Sequence, residues 1–123
     1  MEVKNELNIS EDVILHLKQK EVFKTDDIHF SSGSKRRPSK YKLILANVLF
    51  AMKDDITNAV DGYMNINVQD DDKVWIEYVS ELITLYIDES IIGGYKFEYT
   101  NEHLFKVSEN LYFKNLKFKF ASL

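Results

Sequence analysis

Apolar residues near the N-terminus recur at the three- and four-residue spacing of a helix. Val13, Ile14 and Leu17 fall on one stripe of the segment EDVILHLKQK. Ser10 precedes this segment as an N-cap, because its hydroxyl can accept a hydrogen bond from the free amides of a first turn. The pattern therefore predicts a short helix over residues 11–20.

A second, longer helix is predicted over residues 38–60. Pro38, the one proline of the chain, suits the first helical position because an amide there would have no partner within the helix. Gly62 can adopt the left-handed conformation that ends a helix. Ile44 and Leu49 widen a stripe of regularly spaced apolar residues, which predicts burial on most sides. The stripe consists of Tyr41, Leu45, Val48, Met52, Ile56 and Val60.

Strict alternation of side chains predicts strands in the second half of the chain. The alternating apolar sets are Met64, Ile66 and Val68; Tyr95, Phe97 and Tyr99; His103, Phe105 and Val107; and Leu116, Phe118 and Phe120. A turn at Asn101 and Glu102 would separate the second set from the third. Leu111 and Phe113 have the opposite parity to the last set, which predicts a bulge or break near Asn115.

Two interpretations compete for residues 73–89. The polar positions fall at helical spacing, with Asp72 as a possible N-cap and Gly93 as a possible stop. Val, Ile, Trp, Tyr and Thr dominate the same segment, which favours strands over 74–79 and 82–88. We slightly prefer the strands and keep the helix as the alternative.

Length and composition indicate one globular domain over residues 1–123, because 123 residues suffice for one hydrophobic core. Apolar residues make up 45% of the chain and charged residues 29%, as in ordinary folded proteins. The predicted fold class is α+β. N-terminal helices, including the long buried helix over about 38–60, would pack on a mostly antiparallel sheet formed by the C-terminal half.

The chain shows no segment typical of secretion or of membrane insertion. The N-terminal residues MEVKNELNIS carry two glutamates and no apolar run. The longest apolar stretch, residues 43–52, is much shorter than the ~20 residues that cross a bilayer. We therefore expect a cytoplasmic protein without a membrane partner.

Candidate chemistry is sparse. The chain has no cysteine, which excludes disulfides, thiolate zinc sites and cysteine nucleophiles. His16, His29 and His103 form no metal-spaced pair, and no phosphate-binding or hydrolase motif occurs. The acidic run 70–72 lacks the glycine and the distal glutamate of an EF-hand and is typical of a solvated turn. We expect a protein that is not an enzyme, with no catalytic residue, metal site or cofactor.

Charge is unevenly distributed along the chain. Residues 54–89 contain ten acidic residues and a single basic one, Lys73, although the whole chain carries a net charge of only −4. Such segregation steers charged partners. The leading hypothesis is a small inhibitor, of the immunity or phage counter-defence type, that docks a basic partner protein such as a nuclease. The predicted docking residues are Asp54, Asp55, Asp70, Asp71, Asp72, Glu77 and Glu81.

An alternative hypothesis uses the basic stretch over residues 35–42 to bind nucleic acid. The order of short helix, turn, long helix and hairpin over residues 10–79 resembles a winged helix-turn-helix domain. This resemblance implies a DNA-binding regulator. Against it, the supposed recognition helix becomes apolar after one turn, and the supposed wing carries three aspartates. The candidate contacts are Lys35, Arg36, Arg37, Lys40 and Lys42.

Overall fold

The computed structural model describes residues 6–32 and 42–123, and these residues form an α+β fold, as predicted. The elements in chain order are α1 (Glu6–Lys18), a 3-10 turn (Glu21–Phe23), β1 (Ile28–Ser32), β2 (Lys42–Lys53), β3 (Val60–Asp70), α2 (Lys73–Ile87), β4 (Ile91–Ile92), β5 (Tyr95–Ser108) and β6 (Leu111–Ser122). Neither of the two helices in these residues is long and apolar enough to cross a membrane.

The six strands form one sheet in the order β1-β2-β3-β6-β5-β4. β1 pairs with β2 in parallel, and every other neighbouring pair is antiparallel. Apolar residues of both helices share one buried cluster with alternate residues of the strands, so both helices pack on the same face. We call this the helix face, which includes Ile44, Ile66, Leu116 and Phe97, and call the opposite one the outer face. The mostly antiparallel sheet is confirmed, but it also includes the first half of the chain through β1 and β2.

Helix α1 carries the predicted apolar stripe. Val13 and Leu17 are fully buried. The helix begins at Glu6, ahead of the predicted start, because Ile9 adds a buried apolar position one turn earlier. Ser10 is therefore an interior helical residue, 1% exposed, and its prediction as an N-cap is wrong.

The predicted helix over 38–60 is wrong in its described part, where the chain forms β2 (Lys42–Lys53) and a turn over 54–59. Residues 38–41 lie outside the described part. Residues 43–46 are buried at every position, so β2 is covered on both faces at this end. A strand that is buried on both faces is a continuous apolar run. Residues three and four apart in such a run are all apolar, so the run also fits the spacing of a helix. The longer of the two α-helices in the described residues is α2, which is buried along one stripe only.

Gly62 is a strand residue of β3 and does not end a helix. The register of β2 and β3 shifts between Val48 and Phe50, which marks a bulge beside this glycine. A Cβ atom at Gly62 would collide with the Phe50 carbonyl oxygen and lie 2.7 Å from the Phe120 ring. Close approach of the neighbouring backbone therefore explains the glycine.

Residues 73–87 form helix α2, so the helical alternative is correct and the preferred strands over 74–79 and 82–88 are wrong. The Asp72 carboxylate accepts hydrogen bonds from the amides of Val74 and Trp75, at 3.0 and 3.2 Å. One stripe of the helix packs on the sheet, and its burial outweighs the strand preference of β-branched residues. The buried residues of this stripe are Ile76, Val79, Ser80, Ile83 and Ile87.

Replacement of Asp72 by alanine is expected to lower the free energy of unfolding by about 1 kcal/mol, because two amides of the first helical turn lose their acceptor. Asp71→Ala is the matched control, since Asp71 is exposed and does not cap α2. Urea denaturation followed by circular dichroism measures both variants. Equal losses in the two variants would contradict the capping role.

The C-terminal residues form one hairpin of two long strands. β5 continues through the predicted turn at Asn101 and Glu102, where a bulge between Tyr99 and Asn101 shifts its register. β6 pairs with β3 without a shift from residue 112 to residue 121, so the predicted break near Asn115 is wrong. The predicted core residues of β6 are fully buried, namely Leu116, Phe118 and Phe120.

Candidate functional site

The acidic residues predicted as one docking surface lie at two ends of the sheet. Asp54 and Asp55 are in the β2–β3 turn, whereas residues 70–72 follow the far end of β3. β3 has eleven residues, a length of about 35 Å at ~3.3 Å per residue. The Asp54 carboxylate also accepts hydrogen bonds from the amides of Thr57 and Ile56, which lower its pKa. The structure therefore contains two separate acidic regions.

Asp70 ends β3 with its side chain almost entirely buried, and the residue is 3% exposed. Burial raises the pKa of its carboxyl group, although hydrogen bonds from the backbone amides of Asp72 and Asp71 partly oppose this effect. The Asp72 amide donates to Oδ2 of Asp70 at 3.2 Å. Asp70 thus shapes the start of α2 and offers little surface to a partner.

Asp70→Asn is expected to make the protein more stable at pH 7, because the amide keeps an acceptor oxygen and removes a buried charge. The pKa of the Asp70 carboxyl group is higher in the folded protein than in the unfolded chain, where it is near 3.8. Its ionisation therefore destabilises the fold at pH values above 3.8, and at lower pH, where the group is protonated in both states, it has no effect. The advantage of the variant should therefore disappear toward pH 3. Urea midpoints at pH 3 and pH 7 test this, and a variant less stable than wild type at pH 7 would contradict it.

Glu77 belongs to an ion-pair cluster centred on Lys114, whose side chain is only 5% exposed on the helix face of β6. The Lys114 ammonium lies 2.9 Å from Oε2 of Glu77 on α2 and 2.5 Å from Oε2 of Glu102 on β5. The Tyr99 hydroxyl donates to Oε1 of Glu102 at 2.8 Å. The cluster therefore ties α2 to both strands of the C-terminal hairpin.

The pKa values in this cluster follow from the contacts. Burial lowers the pKa of Lys114, but hydrogen bonds to Glu102 and Glu77 raise it by more, so the ammonium stays charged. The hydrogen bond from Lys114 lowers the pKa of Glu102. Burial and the bond to Glu102 raise the pKa of Tyr99 to about 12. The shifts of Lys114 and Glu102 both favour the charged forms at neutral pH, and Tyr99 remains a neutral hydrogen-bond donor to Glu102.

The ion pair between Lys114 and Glu102 was not predicted from the sequence. Lys114 has the parity of the core residues Leu116 and Phe118, so alternation along β6 places its side chain on the helix face. A charged residue at a core position needs a partner. That parity was the available signal, whereas the partners come from other elements, which the local pattern cannot identify.

In and beside α2, Asp71 and Glu81 are predicted docking residues that remain exposed, with no ion pair among the described residues. Asp72 is exposed as well, but it caps α2. The acidic region at the N-terminal end of α2 thus presents a smaller surface than the sequence indicated.

Four of the predicted nucleic-acid contacts, at positions 35, 36, 37 and 40, lie outside the described residues. Lys42 begins β2, and its ammonium lies 3.5 Å from Oδ2 of Asp27 and 5.3 Å from the centre of the Trp75 ring. These contacts hold Lys42 against its own chain. The resemblance to a winged helix-turn-helix domain is not borne out, because the segment expected to supply the recognition helix forms β2.

The outer half of β5 and the turn that follows it are exposed, and residues 107–111 extend past the end of β3. We call residues 100–112 the arm, in which residues 100–110 are all exposed. Leu104, Phe105 and Val107 are 37%, 51% and 55% exposed. Leu104 lies on the helix face and Phe105 on the outer face, so this edge strand exposes apolar side chains on both faces, as is typical of a protein–protein contact. Phe105 and Val107 belong to a predicted strand, but their exposure was not predicted.

A shallow cleft of about 270 Å³ lies at the opposite edge of the sheet, between α1 and β1. Leu15, which is 57% exposed, and Phe30 provide its apolar walls. Glu11 and Lys18 line it with charged groups. The cleft is larger than the engineered protein cavity of about 150 Å³ that admits benzene, so it can receive an apolar side chain.

Comparison with known proteins reveals a likeness of fold only. No protein-family model and no curated protein sequence matches the chain. A chain in a solved structure described as the virion of a native gene transfer agent particle is similar, with a TM-score of 0.71. The two share 10% sequence identity, and the match covers 98% of each chain.

Proposed function

We propose that this protein is a structural subunit of a virus-like particle, which works by binding neighbouring protein subunits. The observation that carries this proposal is the arm, residues 100–112, whose edge strand exposes Leu104, Phe105 and Val107 to solvent. Full burial of a fully exposed side chain of this size contributes roughly 1.5–3 kcal/mol, and these side chains, which are 37–55% exposed, would contribute about half of that each. A hairpin of this kind provides a surface that can bind a neighbouring subunit.

The likeness to a chain of a gene transfer agent virion supports the proposal. It extends over 98% of each chain, so it includes the arm and both sheet edges as well as the core. Particle proteins act through repeated contacts between subunits, and such contacts need exposed apolar patches or open strands. This chain has both.

Particle composition tests the proposal. Particles are collected from the culture medium of the native host by density-gradient centrifugation, and their proteins are quantified by mass spectrometry. The chain is expected to sediment with the particles at a fixed ratio to their other proteins. A chain found only in the soluble fraction of lysed cells would contradict a structural role.

A second candidate function is the docking of a basic partner protein through Asp71 and Glu81, as the charge distribution suggested. Both side chains are exposed, Asp71 two residues before α2 and Glu81 at the middle of the helix. The double variant Asp71→Lys, Glu81→Lys keeps the cap at Asp72 and the ion pair at Glu77, and so changes the surface alone. Loss of a nuclease-resistant partner from a low-salt affinity capture would support this candidate, whereas unchanged capture would count against it.

A further inference from the structure

The sheet has two edges without a neighbouring strand among the described residues. β1 is one edge and pairs with β2 alone. At the other end, β4 pairs only with residues 95 and 96 of β5, so β5 is an edge strand along the arm. Exposed edges of this kind are templates for pairing with another chain.

The two open edges overlap in position along the strand direction. The strand register connects Phe30 of β1 to Leu104 of β5 through one row of paired residues. The row reads Phe30, Ile44, Val68, Lys114 and Leu104. A second row connects the two edges two residues further along, and it reads Ser32, Ala46, Ile66, Leu116 and Glu102.

The two edges also run in opposite directions. β1 is parallel to β2. Each of the next three pairings, β2 with β3, β3 with β6 and β6 with β5, is antiparallel. β5 therefore runs opposite to β1. A second copy placed beside the first, without a shift along the strands, would bring its β1 antiparallel to β5. The sheet would then continue from one copy to the next.

We infer that β5 of one copy pairs with β1 of a second copy of this chain, with residues 102–106 opposite residues 28–32. This inference rests on the proposed function and identifies its partner surface. Neighbouring strands are about 4.8 Å apart, so Leu104 lies beside Phe30 of the next copy on the helix face. There it reaches the cleft that α1 and β1 form with Leu15.

Charge complementarity favours the same register. Lys106 of one copy stands opposite Ile28 of the next, directly beside Asp26 and Asp27. Lys106 makes no ion pair with the described residues of its own chain. Asp26 and Asp27 are exposed. Lys106 thus meets Asp26 at the end of the shared strand pair, beside Asp27, which pairs with Lys42 of its own chain.

The contact joins two different surfaces, an arm and a cleft, so when two copies pair, one copy still has an unused cleft and the other an unused arm. Contacts of this type repeat head to tail, and they give a closed ring or an open filament. A closed two-fold dimer does not follow from it.

Size measurements on the purified full chain test the inference. Light scattering coupled to gel filtration is run on wild type and Leu104→Asp over a concentration series, with Leu85→Asp as the matched control. Leu85 is exposed on α2, away from both edges. We expect wild type and Leu85→Asp to form assemblies of the same mass, and Leu104→Asp to elute as a folded monomer, with circular dichroism verifying the fold.

Reversal of the charges tests the register. Lys106→Glu and Asp26→Lys are each expected to weaken assembly at least tenfold, and the double variant is expected to recover most of the loss. A double variant as weak as the singles overturns the register. Assemblies that survive Leu104→Asp overturn the edge pairing but leave the structural role intact, whereas a wild-type chain that is monomeric at every concentration overturns both.

Discussion

Replacement of Phe120 by alanine is expected to lower the free energy of unfolding by about 3–5 kcal/mol. Phe120 is fully buried at the centre of the helix face. Its ring packs 5.6 Å from the rings of both Tyr95 and Phe97, measured between centroids. Truncation removes these contacts and leaves a cavity that the surrounding strands cannot fill, because Gly62 opposite it has no side chain.

The control for this prediction is Phe105→Ala in the arm. Phe105 is 51% exposed and packs across the hairpin on Phe113, so its truncation should lower the unfolding free energy of the monomer by no more than about 1 kcal/mol. Urea denaturation at low protein concentration measures both variants. If Phe105→Ala cost as much as Phe120→Ala, the arm would belong to the core, and the assignment of the arm as a contact surface would be wrong.

Lys114→Ala is expected to cost about 3 kcal/mol, the lower end of the range for breaking a buried ion pair. The cost arises because Glu77 and Glu102 lose the ammonium they share. It stays at the lower end because these carboxylates are 45% and 40% exposed and can regain water. Lys119→Ala, on the exposed face of the same strand, is the control and should change stability by no more than about 0.5 kcal/mol.

The same variant should change the dependence of stability on pH. Lys114 holds the pKa of Glu102 below its ordinary value of 4.5, so the wild-type ion pair stabilises the fold above pH 4.5 and loses this contribution as pH falls. Lys114→Ala should therefore show a flatter loss of stability below pH 4.5 than wild type. If the free energy of unfolding fell equally steeply below pH 4.5 in the two proteins, the assigned ion pair would be contradicted.

The strands of the C-terminal half were predictable because apolar and polar residues alternate along them. Met64, Ile66 and Val68 alternate with polar residues, and so do Phe118 and Phe120. Alternation is a local property, and it survives without knowledge of the partner strand. The predicted apolar positions Met64, Ile66, Val68, Phe97, Leu116, Phe118 and Phe120 are accordingly buried, whereas His103, Phe105 and Val107 are exposed.

The errors fall where local pattern and tertiary environment disagree. β2 is buried on both faces over residues 43–46, so its continuous apolar run fits a helix as well as a strand. In α2 the β-branched residues favoured strands, whereas the cap at Asp72 and a stripe facing the sheet favoured a helix. Burial decided both segments, and burial depends on neighbours that the local sequence does not contain.

The candidate contact surfaces were predictable only in part. Exposed acids such as Asp71 follow from charge alone. The match between Leu104 and Phe30 depends on the order of five strands, since the two residues are brought level by pairings through β2, β3 and β6. No local pattern contains that information.

Hydrogen–deuterium exchange, compared between wild type at high concentration and monomeric Leu104→Asp, tests the pairing of β5 with β1 most directly. We predict slower exchange in wild type for backbone amides of residues 28–32 and 102–106, with unchanged exchange in α2. Equal exchange in both edges, or protection that falls on the acidic end of α2 instead, would contradict the pairing.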